Sequence, residues 1–507
     1  MSNKLQYPAI IAAAIAAGCS SLPSVGPDYE KPEIEMGEYA LPDAGLPTTN
    51  RLETGEYQPA KGEGDFRRGV STADIRDWWT RFHDPVLTDL VNLSVTNNMS
   101  FRMAQERLEA SRWSLMGSYA AYLPKFNVNA SAMRMERGKN TSTMAGSGSK
   151  MHRDVFAGGF DATWEIDIFG GSRRATEAAW AQAQAAGWDI ADAYVSLTAE
   201  VASQYLELRI TQQRIEVARN NLKLQRETYD ILKSRLDSGI GDELAVNQSK
   251  YLVDQTLATI PPLISKETEL KDAIAILIGE MPGALEDLLA ECPKRDWLVD
   301  PVKLEAVPLD MIRNRPDVRV AERKLAAQVA YVGVAKGMWY PKLFINGSLG
   351  LESIHPNKLF NHDAIVGSIG PSVSWPIFQG GNIYANIKVE EARMNEAILA
   401  YELALEQAYS EVRAAYSDYT HEYHRYLALQ GAVRAAEDAV TISKDLYKNG
   451  LKDFTAVIDA QRSSLALAES LVVSRGRISQ YLIALYKSLG GGIDEEVFEI
   501  EQRGEVL

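Results

Sequence analysis

The chain is poor in the residues that most chemistry needs. Its 507 residues include two cysteines and six histidines. Two cysteines cannot build a disulfide framework, and six histidines leave little material for metal chemistry. No run of about 18 or more apolar residues occurs, which excludes a polytopic helical membrane protein. Positive charge is in deficit, with 53 Lys and Arg against 68 Asp and Glu and a net charge of −15. Nucleic-acid binding requires clustered cations, so this balance argues against it. Catalytic signatures are missing too: there is no G-x-S-x-G, no H-E-x-x-H and no paired cysteine ligands. The run Gly146-Ser147-Gly148-Ser149-Lys150 lacks phosphate-loop spacing. No catalytic residue, metal ligand or bound cofactor is therefore expected, and the chain does not read as an enzyme. The hydrophobic fraction of 46% and aromatic fraction of 8% are those of a folded protein. Length alone suggests three or four domains.

The N-terminus sets a compartment. Lys4 precedes an apolar stretch from Pro8 to Ala17 that ends at Gly18-Cys19. A basic start, about ten apolar residues and a small-residue cleavage site make a secretory signal, assigned to residues 1–18, not a membrane span. Ala16-Ala17-Gly18-Cys19 resembles a bacterial lipoprotein lipobox, although Ala16 stands where leucine is commonest. The resemblance implies a covalent lipid on Cys19, palmitate included, and Ser20 at the next position implies the outer membrane. An ordinary cleaved signal with an incidental cysteine is the alternative. Lipidation leaves Cys292 without an intramolecular partner, as a structural thiol. Residues 19–73 are rich in Pro, Gly, Glu and Thr and read as an extended segment able to wrap a larger body.

The strongest feature is an internal repeat. Tyr122-Leu123-Pro124-Lys125-Phe126 is echoed by Tyr340-Pro341-Lys342-Leu343-Phe344. Trp164-Glu165-Ile166-Asp167-Ile168-Phe169-Gly170-Gly171 is echoed by Trp375-Pro376-Ile377-Phe378-Gln379-Gly380-Gly381. Gly239 matches Gly450, Ala245-Val246 matches Ala456-Val457, and Ile278-Gly279 matches Leu489-Gly490. The repeats are assigned to residues 74–280 and 309–490, joined by a linker at 281–308 and followed by a tail at 491–507. Each reads as helix, two strands, very long helix, glycine turn, return helix.

The long helices run from Ser172 to Leu236 and from Asn382 to Lys448, without proline. Each spans about 100 Å at 1.5 Å per residue. Large residues recur every seventh position: Val201, Leu208, Ile215, Leu222, Tyr229 and Leu236, then Val412, Tyr419, Tyr426, Val433, Val440 and Tyr447. A sustained seven-residue period supercoils a helix left-handedly against a partner. Gln204, Thr211, Ala218 and Gln225 between them suit a wall of helices better than a dry two-stranded zipper. Gly239, Gly241 and Gly450 mark the turns that end the long helices.

Phe156–Ile166 and Ile365–Trp375 alternate strictly, with partners expected at Lys125–Met135 and Leu343–Leu351. One face carries Phe156, Phe160, Trp164, Ile365, Ile369 and Val373; the other carries Asp161, Thr163, Ser368, Ser372 and Ser374. Strands of about ten residues with such faces fit a transmembrane β-barrel, and a half-buried soluble sheet shares the alternation. The loops Glu136–His152 and Glu352–Asp363 would lie outside. Four strands cannot close a barrel, and open edges are not tolerated in lipid, so the chain must oligomerise. Eight strands would leave a filled interior; the small inward residues argue for three chains.

The ordered set resembles the outer membrane factor family of TolC-like channels, within it the lipoprotein branch serving resistance–nodulation–division efflux pumps. The residues that carry it are Trp78-Trp79-Thr80-Arg81-Phe82-His83-Asp84-Pro85-Val86-Leu87 and Arg315-Pro316-Asp317-Val318 with Ala321-Glu322, followed by Gly333-Val334-Ala335-Lys336 and Pro341. The resemblance implies an α+β membrane protein, a homotrimer whose twelve-stranded barrel continues into a periplasmic α-helical barrel of coiled-coil hairpins. It implies a passive exit duct for small molecules, partnered by a periplasmic adaptor and an inner-membrane transporter. It places gate residues at Tyr447, Lys452 and Asp459, with the family's second aspartate replaced by Ala456 and Asp453 a partial substitute. The exit duct of a type I protein secretion system is the alternative in the same class; a secreted coiled-coil structural lipoprotein is the reading outside it.

Overall fold

The computed structural model describes residues 24–32, 76–137, 151–293, 309–491 and 493. The signal at 1–18, Cys19, most of the N-terminal segment, the outer loop at 138–150, the linker from 294 and the tail from 494 lie outside the described residues.

The first repeat opens with a 3-10 turn at Trp78–Phe82, then α1 (Pro85–Asn97), α2 (Met99–Tyr119), β1 (Lys125–Arg137) and β2 (Met151–Ile166). It continues through α3 (Gly171–Asp237) and α4 (Glu243–Leu277). The second has α5 (Leu309–Arg313), α6 (Pro316–Gly337), β3 (Lys342–Ser353), β4 (Ile365–Ser374), α7 (Asn382–Lys448) and α8 (Phe454–Ser488). Long helices α3 and α7 have 67 residues each, and return helices α4 and α8 have 35 each. Among the described residues, no helix is long and apolar enough to cross a membrane.

The expected seam is real. Val201, Leu208, Ile215 and Leu222 are buried on α3, as are Val412, Tyr419, Tyr426 and Val433 on α7. Tyr229, Leu236, Val440 and Tyr447 nearer the turns are half-buried. Along the chain's own wall the upper helices pack in the order α2, α3, α6, α7, and the lower ones in the order α4, α3, α8, α7. Helix α3 is thus central at both levels, while α2, α4 and α7 each leave one flank without a helix neighbour among the described residues.

Each long helix ends the same way. Gly239 (φ 75°) donates its N–H to Leu236 O, and Ile240 donates to Arg235 O. Gly450 (φ 69°) donates to Tyr447 O, and Leu451 to Leu446 O. This paired pattern satisfies the last carbonyls and requires a left-handed residue, hence glycine. At Gly241 a Cβ would collide with the Leu236 backbone.

Two boundaries differ from the sequence reading. The stretch from 281, expected as linker, is folded over α3 and α4 as far as Pro293. Leu285 and Leu289 are buried there, and the Gly283 N–H donates to Asp272. Gly279 and Gly283, both at positive φ, let the chain double back so those leucines reach the core. At the other end Ile493 packs against Trp188, Ala191 and Val320.

The extended segment wraps the body where it is described. Val25 N donates to Phe169 O, and Arg174 reaches Val25 O, Gly26 O and the Asp28 carboxylate at 2.6 Å. Gly26 presses on Gly333 so closely that a Cβ on Gly26 would strike the Gly333 backbone, and a Cβ on Gly333 would strike the Arg174 side chain. Tyr29 donates to Glu322, which also takes Arg319, Arg323 and Lys31.

Candidate functional site

The four strands form one antiparallel meander in the order β1-β2-β3-β4. Its register joins the repeats: Phe160 lies opposite Val128 on one side and Leu349 on the other, and Trp164 lies opposite Ile345. One face therefore gathers Phe126, Val128, Phe160, Leu349, Ile369 and Val373, all more than half exposed. Water does not tolerate such a contiguous apolar face on a folded domain without a partner. The opposite face is polar and internally paired. Asn129 donates to Asp161, Ser348 bonds Ser368 at 2.8 Å, Asn346 donates to Ser372 at 2.7 Å, and Lys342 pairs with Glu165 at 2.9 Å. Gly159 and Gly350 oppose each other where a Cβ on either would strike the partner backbone.

Beneath the sheet sits an aromatic rim. Trp164 Nε1 donates to Tyr122 O, Trp375 Nε1 donates to Trp339 O, and Phe169 stacks on Tyr340 at 4.8 Å. The two tryptophans are repeat-related and so are their acceptor segments. Amphipathic rings held by one hydrogen bond at the end of an apolar strand face have the chemistry of an aromatic girdle. Strands β1 and β4 are edges with no partner among the described residues.

The second part of the site is the far end of the hairpins. Leu232 of α3, Ala245, Val246 and Leu252 of α4, and Phe454, Val457 and Ile458 of α8 form a small core joining both hairpins. Tyr447 belongs to it, edge-on to Phe454 at 5.2 Å. Lys452 and Asp453 lie exposed in the second turn, and Asp459 is exposed on the first turns of α8. Among the described residues no hydrogen bond or ion pair joins Tyr447, Lys452, Asp453 and Asp459 to one another. Gly239, Gly241 and Gly450 are all in the turns where the repeat put them.

The two signature segments are structural. Trp78 stacks on Tyr486 at 5.6 Å, Arg81 donates to the Tyr486 hydroxyl, and Trp79 and Phe82 are buried beside them. Asp84 caps α1 through Val86 N and accepts from Tyr205 OH at 2.7 Å. Arg315 is buried among α6, α7 and α8. Cys292 lies half-buried against Arg209 O, and burial pushes its thiol pKa up, which disfavours the reactive thiolate. Sequence reasoning missed Asn98, which caps α2 through Phe101 N and donates to Leu277 O. Its signal was weak: an asparagine before a helix.

An apolar strand face, an aromatic rim and two long hairpins below define a class, the wall element of an outer-membrane export channel. The description "Outer membrane efflux protein" belongs to the family model that matches residues 90–266 and 307–491, and the chain belongs to that family. It is 29% identical over 487 residues to nodulation protein T of Rhizobium leguminosarum bv. viciae, covering 95% of this chain and 93% of that one. It is 27% identical over 458 residues to outer membrane protein OprJ of Pseudomonas aeruginosa, covering 90% and 95%. The solved outer-membrane channel OprN superposes with a TM-score of 0.79 at 30% identity, covering 92% of this chain and 99% of that chain. The protein is an outer-membrane efflux component, a transport element and not an enzyme.

Proposed function

We propose that three copies of this chain close into one duct that carries small toxic molecules from the periplasm to the outside. The observation that carries this is the open sheet: among the described residues its apolar face is exposed, both edges are unpaired, and the hairpins beneath it have bare flanks. Lipid does not tolerate unpaired strand edges, so β1 of one copy pairs with β4 of the next. Twelve strands leave a lumen lined by the Asn129, Asp161, Ser348 and Ser368 face, whereas eight would be plugged. Exposed Tyr251, Leu257 and Ile264 on α4 and Leu399, Leu403 and Ile442 on α7 supply the matching flanks of the helical barrel.

The duct has no energy source of its own. A periplasmic adaptor recruits it to an inner-membrane proton-driven transporter of the resistance–nodulation–division class, and adaptor binding favours the open tip. Tyr447, Lys452, Asp453 and Asp459 act at that tip, and threefold symmetry turns Asp459 into a ring of three carboxylates that favours cations. The lipid on Cys19, after removal of residues 1–18, fastens the extended segment to the membrane. Export of a protein through a type I system is the competing reading. The signatures at Trp78–Leu87 and Arg315–Val318 favour efflux.

The test is direct. Unheated protein should migrate as a trimer and form cation-preferring channels in planar bilayers, with Asp459→Ala weakening that preference. Cys19→Ser should abolish lipid labelling. A deletion strain should become susceptible to small toxic compounds; an unchanged profile with loss of one secreted protein would favour the type I reading. A monomer without pore activity would overturn the duct.

A further inference from the structure

We propose that Arg315 is the pivot of the second hairpin, a positioning residue that holds the distant tip shut. The proposal rests on the gated-duct reading above and adds where the moving part is hinged.

Both repeats splice a lower return helix onto an upper short helix, and both do so through the residue just before that upper helix. In the first, Asn98 Nδ2 donates to Leu277 O at 2.9 Å, joining α4 to α2. In the second, Arg315 Nη1 donates to Ser488 O at 2.8 Å, joining α8 to α6. There the likeness ends. Asn98 joins two helices; Arg315 joins three. Its Nη1 also donates to Ala408 O of α7, and its Nη2 lies 2.6 Å from the Glu411 carboxylate of α7. Asp317 takes Nε and Nη2 as a fork and fixes the guanidinium plane.

The level of this contact is where α7 changes neighbours. Above it, Tyr401, Leu405 and Ala408 pack on Val318, Leu325 and Val329 of α6. Below it, α7 runs with α8 to the tip. From Ala408 to Lys448 this lever is about 60 Å long at 1.5 Å per residue. A rotation of about 10° at its upper end moves the tip by about 10 Å, the scale of a hinge opening. Directly beyond α8 come Gly490 and Gly491, both at positive φ (90° and 63°). Their N–H groups close the helix end on Lys487 O and Tyr486 O, which leaves Ser488 O to Arg315. The guanidinium thus ties the last carbonyl of α8 to α6 and α7 at the point where the glycine pair turns the chain away.

The experiment compares full-length wild type, Arg315→Gln, Glu411→Gln and Glu322→Gln in planar bilayers without adaptor, with trimer melting measured in parallel. Arg315→Gln should raise the resting current about tenfold, the size of a typical allosteric coupling, with ion preference unchanged. Glu411→Gln, which loosens one of the two ties to α7 and leaves the Ala408 O bond, should raise it less. Glu322→Gln, which loosens the N-terminal wrap, should lower the melting temperature and leave the current as in wild type. An Arg315→Gln trimer with wild-type current overturns the pivot, and so does an equal rise in Glu322→Gln, which would mean general loosening. Should Arg315→Gln not assemble, Glu411→Gln decides: a raised current supports the pivot and an unchanged one overturns it. A wild type that forms no channel at all removes the duct reading itself, and the pivot with it.

Discussion

Helices α3 and α7 are copies in length, in turn glycine and in seven-residue stride, yet they live in different surroundings. Helix α3 touches α2, α6, α4 and α8, and buries Ala178, Trp188, Val201, Tyr205, Leu208 and Ala218 on several faces. Helix α7 touches α6 and α8 and leaves Leu399, Leu403 and Ile442 bare. The same repeat thus yields a keystone in the middle of the wall and a rim at its edge. Position in the wall, not the helix pattern, decides which flank is apolar core and which stays exposed. The lower helices diverge likewise: α4 carries Pro261 and Pro262 in its interior, where α8 has Val472 and Val473. Each proline removes an N–H from the helical ladder.

The contrast breaks most visibly at single leucines. Leu208 on α3 is fully buried, so Leu208→Ala should cost about 2–5 kcal/mol through lost transfer and a residual cavity. Leu403→Ala on α7 should cost under about 0.5 kcal/mol in a dissociated chain and act only on assembly. Chemical denaturation in detergent, read beside native gels, separates the two. Equal costs in the dissociated chain would mean that α7 is no rim.

A second expectation concerns the wrap over α3 and α6. Glu322 is buried, which on its own would raise its pKa, but Arg323, Lys31 and Arg319 hold its carboxyl below the ordinary carboxylate range. A depressed folded-state pKa adds stability above the unfolded value, and that stability is lost as pH falls through the folded one. Glu322→Gln should therefore destabilise at neutral pH by about 1–3 kcal/mol and flatten the acid limb of the stability profile. An unchanged acid limb would show that the wrap is held by Arg174 and the Gly26–Gly333 contact alone.

Much of this architecture was legible in the chain. Periodicity placed α3 within a residue of each end and α7 at both of its ends, because 3.6- and 2-residue patterns are local and the repeat doubled every signal. Strand β4 ends one residue before Trp375 because its ladder with β3 stops at the Lys342–Ser374 pair, with Pro341 and Pro376 just beyond. Side-chain pairings over long separations were not legible. Nothing near Arg315 announces Ser488 or Ala408, and nothing near Tyr29 announces Glu322. The fold over Leu285 and Leu289 was hidden because Pro, Gly and charge there read as linker, although two leucines four apart were the clue. Tyr447, Lys452, Asp453 and Asp459 were placed by position. Among the described residues only Tyr447 of these four has an aromatic packing partner, Phe454.

The smallest effect sharpens the comparison at the two turns. Asp242 and Asp453 occupy the same place before α4 and α8, each as N-cap. Asp242 accepts from Leu244 N at 2.9 Å; Asp453 makes no side-chain cap bond. A capping carboxylate is worth about 1 kcal/mol to the helix that follows. Asp242→Ala should cost that much, while Asp453→Ala should leave thermal stability within about 0.5 kcal/mol. An aspartate in the turn that does not cap its own helix has its carboxylate available to the proposed gate. The sharper readout is thus the pair of measurements: Asp242→Ala moves melting and not ion preference, and Asp453→Ala moves ion preference and not melting. If Asp453→Ala costs as much stability as Asp242→Ala, the second turn is capped like the first and Asp453 leaves the gate.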